Sequence, residues 1–249
     1  MASLSKNEIK FIRSLHRKKG RKVSASFIIE GVKMIEEALL ADAEFIHCLA
    51  IDPKMLPDSV DKVKISENEM AQISALSSPS PALAVISSEV GGWLNTDHKP
   101  PGMILALDGI SDPGNLGAII RTADWFGIKD IIASAETVDV LNPKVVQATM
   151  GSLFRVRFEQ VDLIQKLSVL KDDNPAFKIF TSSLEGKNLD ALKTAPEYAA
   201  LIIGSEAHGV SDNLKNISDD LLKIPGWGGA ESLNVAIAAG VLLFAWRSA

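Results

Sequence analysis

Short continuous apolar runs along this chain trade places with stretches whose apolar positions recur at every third or fourth residue, which predicts strands separated by helices. Phe27-Ile28-Ile29-Glu30-Gly31 reads as a strand and Val32 to Ala41 as a helix with Val32, Ile35, Ala38 and Leu39 on one face; Ile46 to Ile51 is a second strand. Ser66 followed by Glu69 forms a capping box, in which a hydroxyl and a carboxylate satisfy each other's backbone donors, and it opens a helix expected to reach Leu76. A further strand runs from Ala82 to Ser87. Then Asn95-Thr96-Asp97-His98-Lys99-Pro100-Pro101-Gly102 interrupts every pattern, because two prolines and a glycine bar continuation of helix or strand.

Beyond that linker the strand candidates are Met103 to Leu107, Asp130 to Ala133, Arg155 to Phe158, Lys178 to Thr181, Ala200 to Ile203 and Leu221 to Ile224. Helical stretches lie between nearly all of them. Leu116 to Phe126 stops at Gly127, and Asn142 before Pro143 has the form of a helix cap followed by proline at the first helical position. Strands apolar on both faces, joined through helices, predict a parallel sheet covered on both sides. The fold class is α/β: a small α/β domain over residues 1–95, then a parallel-sheet α/β domain over 102–249.

Composition narrows the picture. The chain has 249 residues, of which 47% are hydrophobic, enough for buried cores in both domains. Its one cysteine, Cys48, permits no internal disulfide and reads as a small buried hydrophobe; no cysteine-rich metal site can form, and no metal is expected. The polar, basic start has neither an apolar core nor a small-residue cleavage site, so no secretory signal is expected and a cytoplasmic protein is. The longest apolar run, Val235 to Trp246, is too short to cross a bilayer and reads as a buried helix.

Net charge is −5, but it is unevenly spread: residues 1–22 carry +7 and the remainder −12. The basic stretch offers Lys10, Arg13, Arg17, Lys18, Lys19, Arg21 and Lys22 as phosphate contacts for RNA, with the solvated face of a terminal helix as the bland reading. Only Phe11 is aromatic there, so stacking on bases is not its main tool.

Three segments carry candidate chemistry. Asp108-Gly109-Ile110-Ser111-Asp112-Pro113-Gly114-Asn115-Leu116-Gly117 leads into a helix bearing Arg121; Gly204-Ser205-Glu206-Ala207-His208-Gly209 follows a short strand; and Ile224-Pro225-Gly226-Trp227-Gly228-Gly229-Ala230-Glu231-Ser232-Leu233-Asn234 enters the final helix. Glycine-rich turns after strands bring bare backbone N–H groups to a ligand. Spacing around Gly109, Gly114 and Gly117 does not match the Gly-x-Gly-x-x-Gly of dinucleotide binders. Asn115 is a candidate helix cap, Ser232 a candidate cap for the final helix, and Asn234 falls within the apolar stretch Leu233 to Trp246 as a buried amide that needs a partner.

Together and in this order, Asn115-x-Gly117 with Arg121, Gly204-x-Glu206-x-x-Gly209 and Ser232-Leu233-Asn234-Val235 resemble the three motifs of the SpoU or TrmH-type RNA ribose methyltransferases of the SPOUT superfamily. The N-terminal part resembles the L30e-like substrate-binding domain that precedes the catalytic domain in many of them. The resemblance implies a C-terminal trefoil knot, a homodimer with active sites at its interface, and transfer of a methyl group from S-adenosylmethionine to a ribose 2′-hydroxyl, in ribosomal more than transfer RNA. It implies catalytic roles for Arg121, Ser232, Asn234, Asn115 and Glu206, with Glu206 bonding to Asn115, Arg121 or backbone donors and Arg121 also holding RNA. It further implies cofactor contacts from Leu201, Ile203, Gly204, Ser205, Glu206, Gly209, Ile224, Gly226, Gly228 and Leu233. The one uncommon residue after the third motif, Ala236, leaves open a second reading, a non-catalytic RNA-binding protein of the same fold.

Overall fold

The computed structural model describes residues 4–88, 102–189 and 194–249, so most of the expected linker from Asn95 to Gly102 lies outside the described residues. Two compact units account for the rest: residues 4–88 together with Asp139–Arg155, and residues 102–138 together with 156–249 as far as described. The span read from sequence as the second domain thus contributes one internal segment to the first unit.

In the first unit, α1 (Lys6–Ser14) and α2 (Lys18–Ser24) precede β1 (Ser26–Glu30), α3 (Val32–Leu40), β2 (Phe45–Ala50), the short β3 (Val63–Lys64), α4 (Glu67–Ile73) and β4 (Ala82–Ser87). The sheet order is β1-β4-β2-β3, with β4 antiparallel to both neighbours and β3 parallel to β2. Ile12 and Leu15 from the helical start pack with Ile28, Leu49, Met70, Ile73, Leu83 and Val85 in one core, so the basic N-terminal stretch is folded helix and not a loose arm. Both capping residues of α4 behave as the Ser66/Glu69 spacing predicts. Its end does not. The helix stops at Ile73 instead of Leu76 because the buried Glu30 carboxylate takes the Ser74 hydroxyl at 2.6 Å and the Ala75 N–H at 2.8 Å, pulling both out of the helical path. Gly31, at φ +105, makes the β1–α3 turn in a region closed to other residues.

The segment Asp139–Arg155 holds α6 (Pro143–Thr149), capped by Asn142 as expected, and lies beside β1. The Arg21 guanidinium, 4% exposed, binds Asp139 and donates to the Leu15 carbonyl at 2.8 Å, and Arg155 pairs with Glu37.

The second unit comprises β5 (Met103–Asp108), α5 (Pro113–Trp125), β6 (Asp130–Ala133), β7 (Arg157–Gln160), α7 (Leu163–Asp173), β8 (Lys178–Asn188), β9 (Ala199–Gly204), α8 (Asp212–Ile217), β10 (Asp220–Lys223) and α9 (Val235–Ser248). Its six strands are all parallel in the order β10-β8-β9-β5-β6-β7. One face of the sheet, with Ile104, Ala106, Ile179, Ala200 and Ile202, packs on Leu163, Leu167 and Leu214 of α7 and α8. On the other, α9 packs against β9 and α5, its Trp246 meeting Phe180 edge-on at 5.1 Å. Strand β7 begins two residues later than predicted, because Ser152–Arg155 forms a 3-10 turn. Strand β8 runs on to Asn188 but leaves its neighbour between Thr181 and Lys187, which face the adjacent Leu221 and Leu222 of β10.

Helix α9 is buried along Val235, Ala239, Leu242, Leu243 and Trp246, whereas Ile237, Val241 and Phe244 are open to solvent. No helix among the described residues is long and apolar enough to cross a membrane.

Candidate active site at the ends of the parallel strands

The carboxyl ends of β5 and β9 lie side by side, Asp108 opposite Gly204, where parallel sheets generally receive their ligands. After β5, Gly109 takes φ +70 and donates its N–H to the Ser134 hydroxyl at 3.0 Å, turning the chain toward α5. Asp112 caps that helix, accepting from the Asn115 N–H at 2.8 Å with Pro113 filling the first turn. Asn115 is therefore inside the first turn and its side chain is free for other work; the capping role the sequence suggested for it belongs to Asp112.

After β9 the chain doubles back at once. Gly209 donates to the Ser205 carbonyl at 2.9 Å, and a Cβ on Gly204 would sit 2.1 Å from the Gly209 carbonyl carbon, so only glycine permits the approach. Asp108 ties the far end of this loop to β5 by accepting the Ser211 N–H at 2.9 Å, an anchoring role that the sequence reading missed although Asp108 opens the first motif.

Asn115 joins the three motifs. Its Nδ2 donates to the Glu206 carboxylate, and its Oδ1 accepts from Asn234 Nδ2 at 3.0 Å. Asn234 is no buried amide: it is exposed and is the cap of α9, its Oδ1 accepting from the Ala236 N–H at 2.9 Å and the Ile237 N–H at 3.4 Å. The cap expected of Ser232 is thus taken two residues later, and Ser232 stands exposed without a hydrogen bond among the described residues.

Arg121 is not part of this junction. It lies six residues beyond Asn115, about 9 Å along α5 and roughly 120° around it. It is exposed and has no ion pair among the described residues; Asp124 pairs with Lys129 and Asp112 is occupied as a cap. Among the cofactor candidates, Leu201 is corrected by its surroundings, being fully buried and paired on both sides with Leu105 and Phe180. Ile203 and Gly204 are buried as well, but pairing between β8 and β9 stops at Thr181 and Ile202 and leaves their backbone without a strand partner on that side. Ile224 is half-buried at the end of β10, and Ser205, Glu206, Gly209, Gly226, Gly228 and Leu233 are at least partly open.

The N–H groups of Gly226, Gly228 and Gly229 have no partner among the described residues, and a Cβ built on any of the three meets nothing within 4 Å. No cluster of metal-binding side chains occurs among the described residues. In the first unit, Lys6, Lys10 and Arg13 point outward at helical spacing along α1, and Arg17, Lys18, Lys19 and Lys22 are also exposed. Arg21 does not belong with them, because its charge is buried against Asp139.

Known proteins match this arrangement closely. The model of the SpoU rRNA methylase family matches residues 102–244, and that of the MRM3-like substrate binding domain matches residues 6–84. The chain belongs to the SpoU rRNA methylase family. It is 30% identical to the 23S rRNA (guanosine(2553)-2′-O)-methyltransferase RlmP of Bacillus subtilis, over 98% of each chain. A protein from Porphyromonas gingivalis assigned to the TrmH family of RNA methyltransferases shares its fold with a TM-score of 0.86 and 34% identity over 99% of both chains. An rRNA methyltransferase from Sinorhizobium meliloti, solved with AdoMet bound, gives a TM-score of 0.85 at 27% identity, covering 99% of this chain and 97% of that one.

Proposed function

We propose that this SpoU-family chain transfers a methyl group from S-adenosylmethionine to a ribose 2′-hydroxyl of ribosomal RNA, the second unit carrying the reaction and the first holding the RNA. The observation that carries this reading is the double use of Asn115, whose side chain binds both Glu206 and Asn234 and so draws three distant motifs together. Support for the substrate comes from the Bacillus relative, a 23S rRNA 2′-O-methyltransferase that aligns over nearly its whole length, and for the cofactor from the Sinorhizobium relative with AdoMet bound.

The main chain suits such a cofactor. Unpaired N–H groups at Gly226, Gly228 and Gly229 and the backbone of Ile203 and Gly204, which lacks a strand partner on the β8 side, offer donors and acceptors without side-chain bulk. S-adenosylmethionine supplies a methyl carbon on a sulfonium, an electrophile already activated for transfer, so the protein's task is chiefly positioning. Glu206 uses one oxygen on Asn115 and keeps the other for orienting the ribose hydroxyl. Asn234 locks the far side of Asn115 and fixes the start of α9 with the same side chain.

Arg121 is a poor choice of base, since a guanidinium holds its proton too tightly to accept another group's. It acts as a fixed cation that stabilises the developing alkoxide and holds a neighbouring phosphate, while the hydroxyl proton leaves to water, a phosphate oxygen or a neighbouring polar group. Its separation from Asn115 along α5 is consistent with service in the site of a second copy. Ile237, Val241 and Phe244, with Trp125 of the neighbouring α5, form the apolar surface on which that copy docks as a homodimer. The finer fold follows the same reading, with a C-terminal trefoil knot supported by β8 lying between β10 and β9, and an L30e-like first unit supported by the substrate-domain match. A cytoplasmic setting goes with a ribosomal RNA substrate.

The test is to incubate the protein with labelled S-adenosylmethionine and with ribosomal or transfer RNA free of modifications, then map ribose methylation in each. Label in a 23S rRNA nucleotide is the expected result. Cofactor binding without transfer to any RNA would overturn it in favour of the binding-only reading.

A further inference from the structure

Trp227 is the most exposed large apolar side chain among the described residues, with 91% of its surface open. It stands between Gly226 and Gly228 in the stretch that leaves β10 and reaches Asn234, where no flanking side chain offers it cover. Leaving an indole in water forgoes the favourable burial of one of the largest apolar surfaces a residue can present. A purely structural loop of glycines needs no such ring.

We infer that Trp227 stacks on an unpaired nucleobase of the RNA, beside the ribose that receives the methyl group; the inference rests on the methyltransferase reading above. Three observations favour a base over other occupants. The N–H groups of the surrounding glycines remain for the cofactor, while the ring itself is almost wholly exposed. A flat partner arriving from solvent is what such a ring can grip, and unpaired bases splayed onto aromatic faces are the usual means by which proteins hold RNA at a chosen nucleotide. The loop is also joined to the reacting centre, since it ends at Asn234, which is bonded to Asn115. The cation-rich first unit has Phe11 as the sole aromatic of its basic stretch, so backbone contacts there leave recognition of a base to be made elsewhere.

The experiment compares the full-length wild type with Trp227→Ala and Trp227→Phe, using 23S rRNA transcribed without modifications. KM for RNA and kcat come from transfer of labelled methyl groups, cofactor Kd from calorimetry and subunit number from light scattering. Trp227→Ala should raise KM for RNA by on the order of 10- to 100-fold, the usual loss for one stacked base, with cofactor Kd and subunit number unchanged. Trp227→Phe, which keeps a ring, should stay within about threefold of wild type.

An unchanged KM for RNA in Trp227→Ala overturns the inference. So does weakened cofactor binding with RNA binding intact, which would make the ring part of the cofactor site, or loss of the dimer, which would make it an interface residue. A wild type that methylates no RNA sinks the methyltransferase reading and this inference with it; an active wild type matched by Trp227→Ala sinks the inference alone.

Discussion

Asn234 donates its side-chain amide to Asn115 Oδ1 over 3.0 Å although the two lie 119 residues apart. One asparagine caps α9 and the other donates to Glu206, so the start of the last helix, the start of α5 and the loop after β9 are held by a single chain of side-chain hydrogen bonds.

That chain predicts a reciprocal rescue. Asn115→Asp sets a carboxylate against Glu206 and should lower the single-turnover rate by roughly 100-fold, the scale of losing one oriented donor. Adding Glu206→Gln restores a donor across the same gap and should recover at least part of the loss. A double variant no faster than Asn115→Asp would mean that the contact does not matter to turnover.

Arg121 is exposed and unpaired among the described residues, so its removal should leave the fold intact. Arg121→Ala should abolish methyl transfer while sparing cofactor affinity, and Arg121→Lys should not rescue it, because an ammonium lacks the planar fork. If the site is shared between copies, mixing Arg121→Ala with Asn115→Asp subunits should raise activity above that of either variant alone. Subunit-exchange assays that yield no such rise would place Arg121 within its own chain's site.

Two classes of basic residue in the N-terminal helices should separate experimentally. Replacing Lys10, Arg13 and Arg17 with Gln should lower the salt dependence of RNA binding by about two units of slope while leaving Tm alone. Arg21→Ala should instead destabilise the first unit by about 3 kcal/mol, since it strands Asp139 and the Leu15 carbonyl. Thermal unfolding and filter binding at several salt concentrations read the two effects apart.

Cys48 is 3% exposed, and burial pushes its thiol up to about 11. The native protein should resist alkylation at pH 8, where a free cysteine is partly thiolate. Because the folded pKa is raised, the unfolded chain loses this proton first, and the thiol's contribution to stability falls as pH climbs from about 9 toward 11. Alkylation of Cys48 in the native protein at the rate of a model thiol would contradict its burial.

Local patterns carried the elements, because periodicity and caps act within a few residues: the Ser66/Glu69 box, Asn142 before Pro143 and most strand positions were legible in the sequence. The misses share a cause, a partner far along the chain. Glu30 shortens α4 from more than forty residues away, and Asp139 buries Arg21 from a segment read as part of another domain. Asn234 looked like a helix interior because its neighbours are apolar, yet its backbone is extended and its side chain caps. In the site, motif order pointed to Asn115, Glu206 and Asn234, but nothing in the spacing said that Asn115 would be the one bonded to both others.

Gly204 ties backbone shape to the proposed cofactor site. Its missing side chain lets Gly209 and Val210 come within 2.2 Å of where a Cβ would be, and those atoms are backbone that cannot swing aside. Gly204→Ala must therefore push the loop away from β9, moving Glu206 off Asn115 and disturbing the Ile203 backbone, which lacks a strand partner on the β8 side. Cofactor affinity should fall by at least 10-fold and turnover further, while the first unit keeps its RNA affinity. Gly228→Ala is the matched control: nothing lies within 4 Å of its Cβ, so the apo protein should keep its Tm and any loss should appear only in cofactor binding. If calorimetry finds Gly204→Ala binding S-adenosylmethionine as tightly as wild type, the loop after β9 is not a wall of the cofactor site.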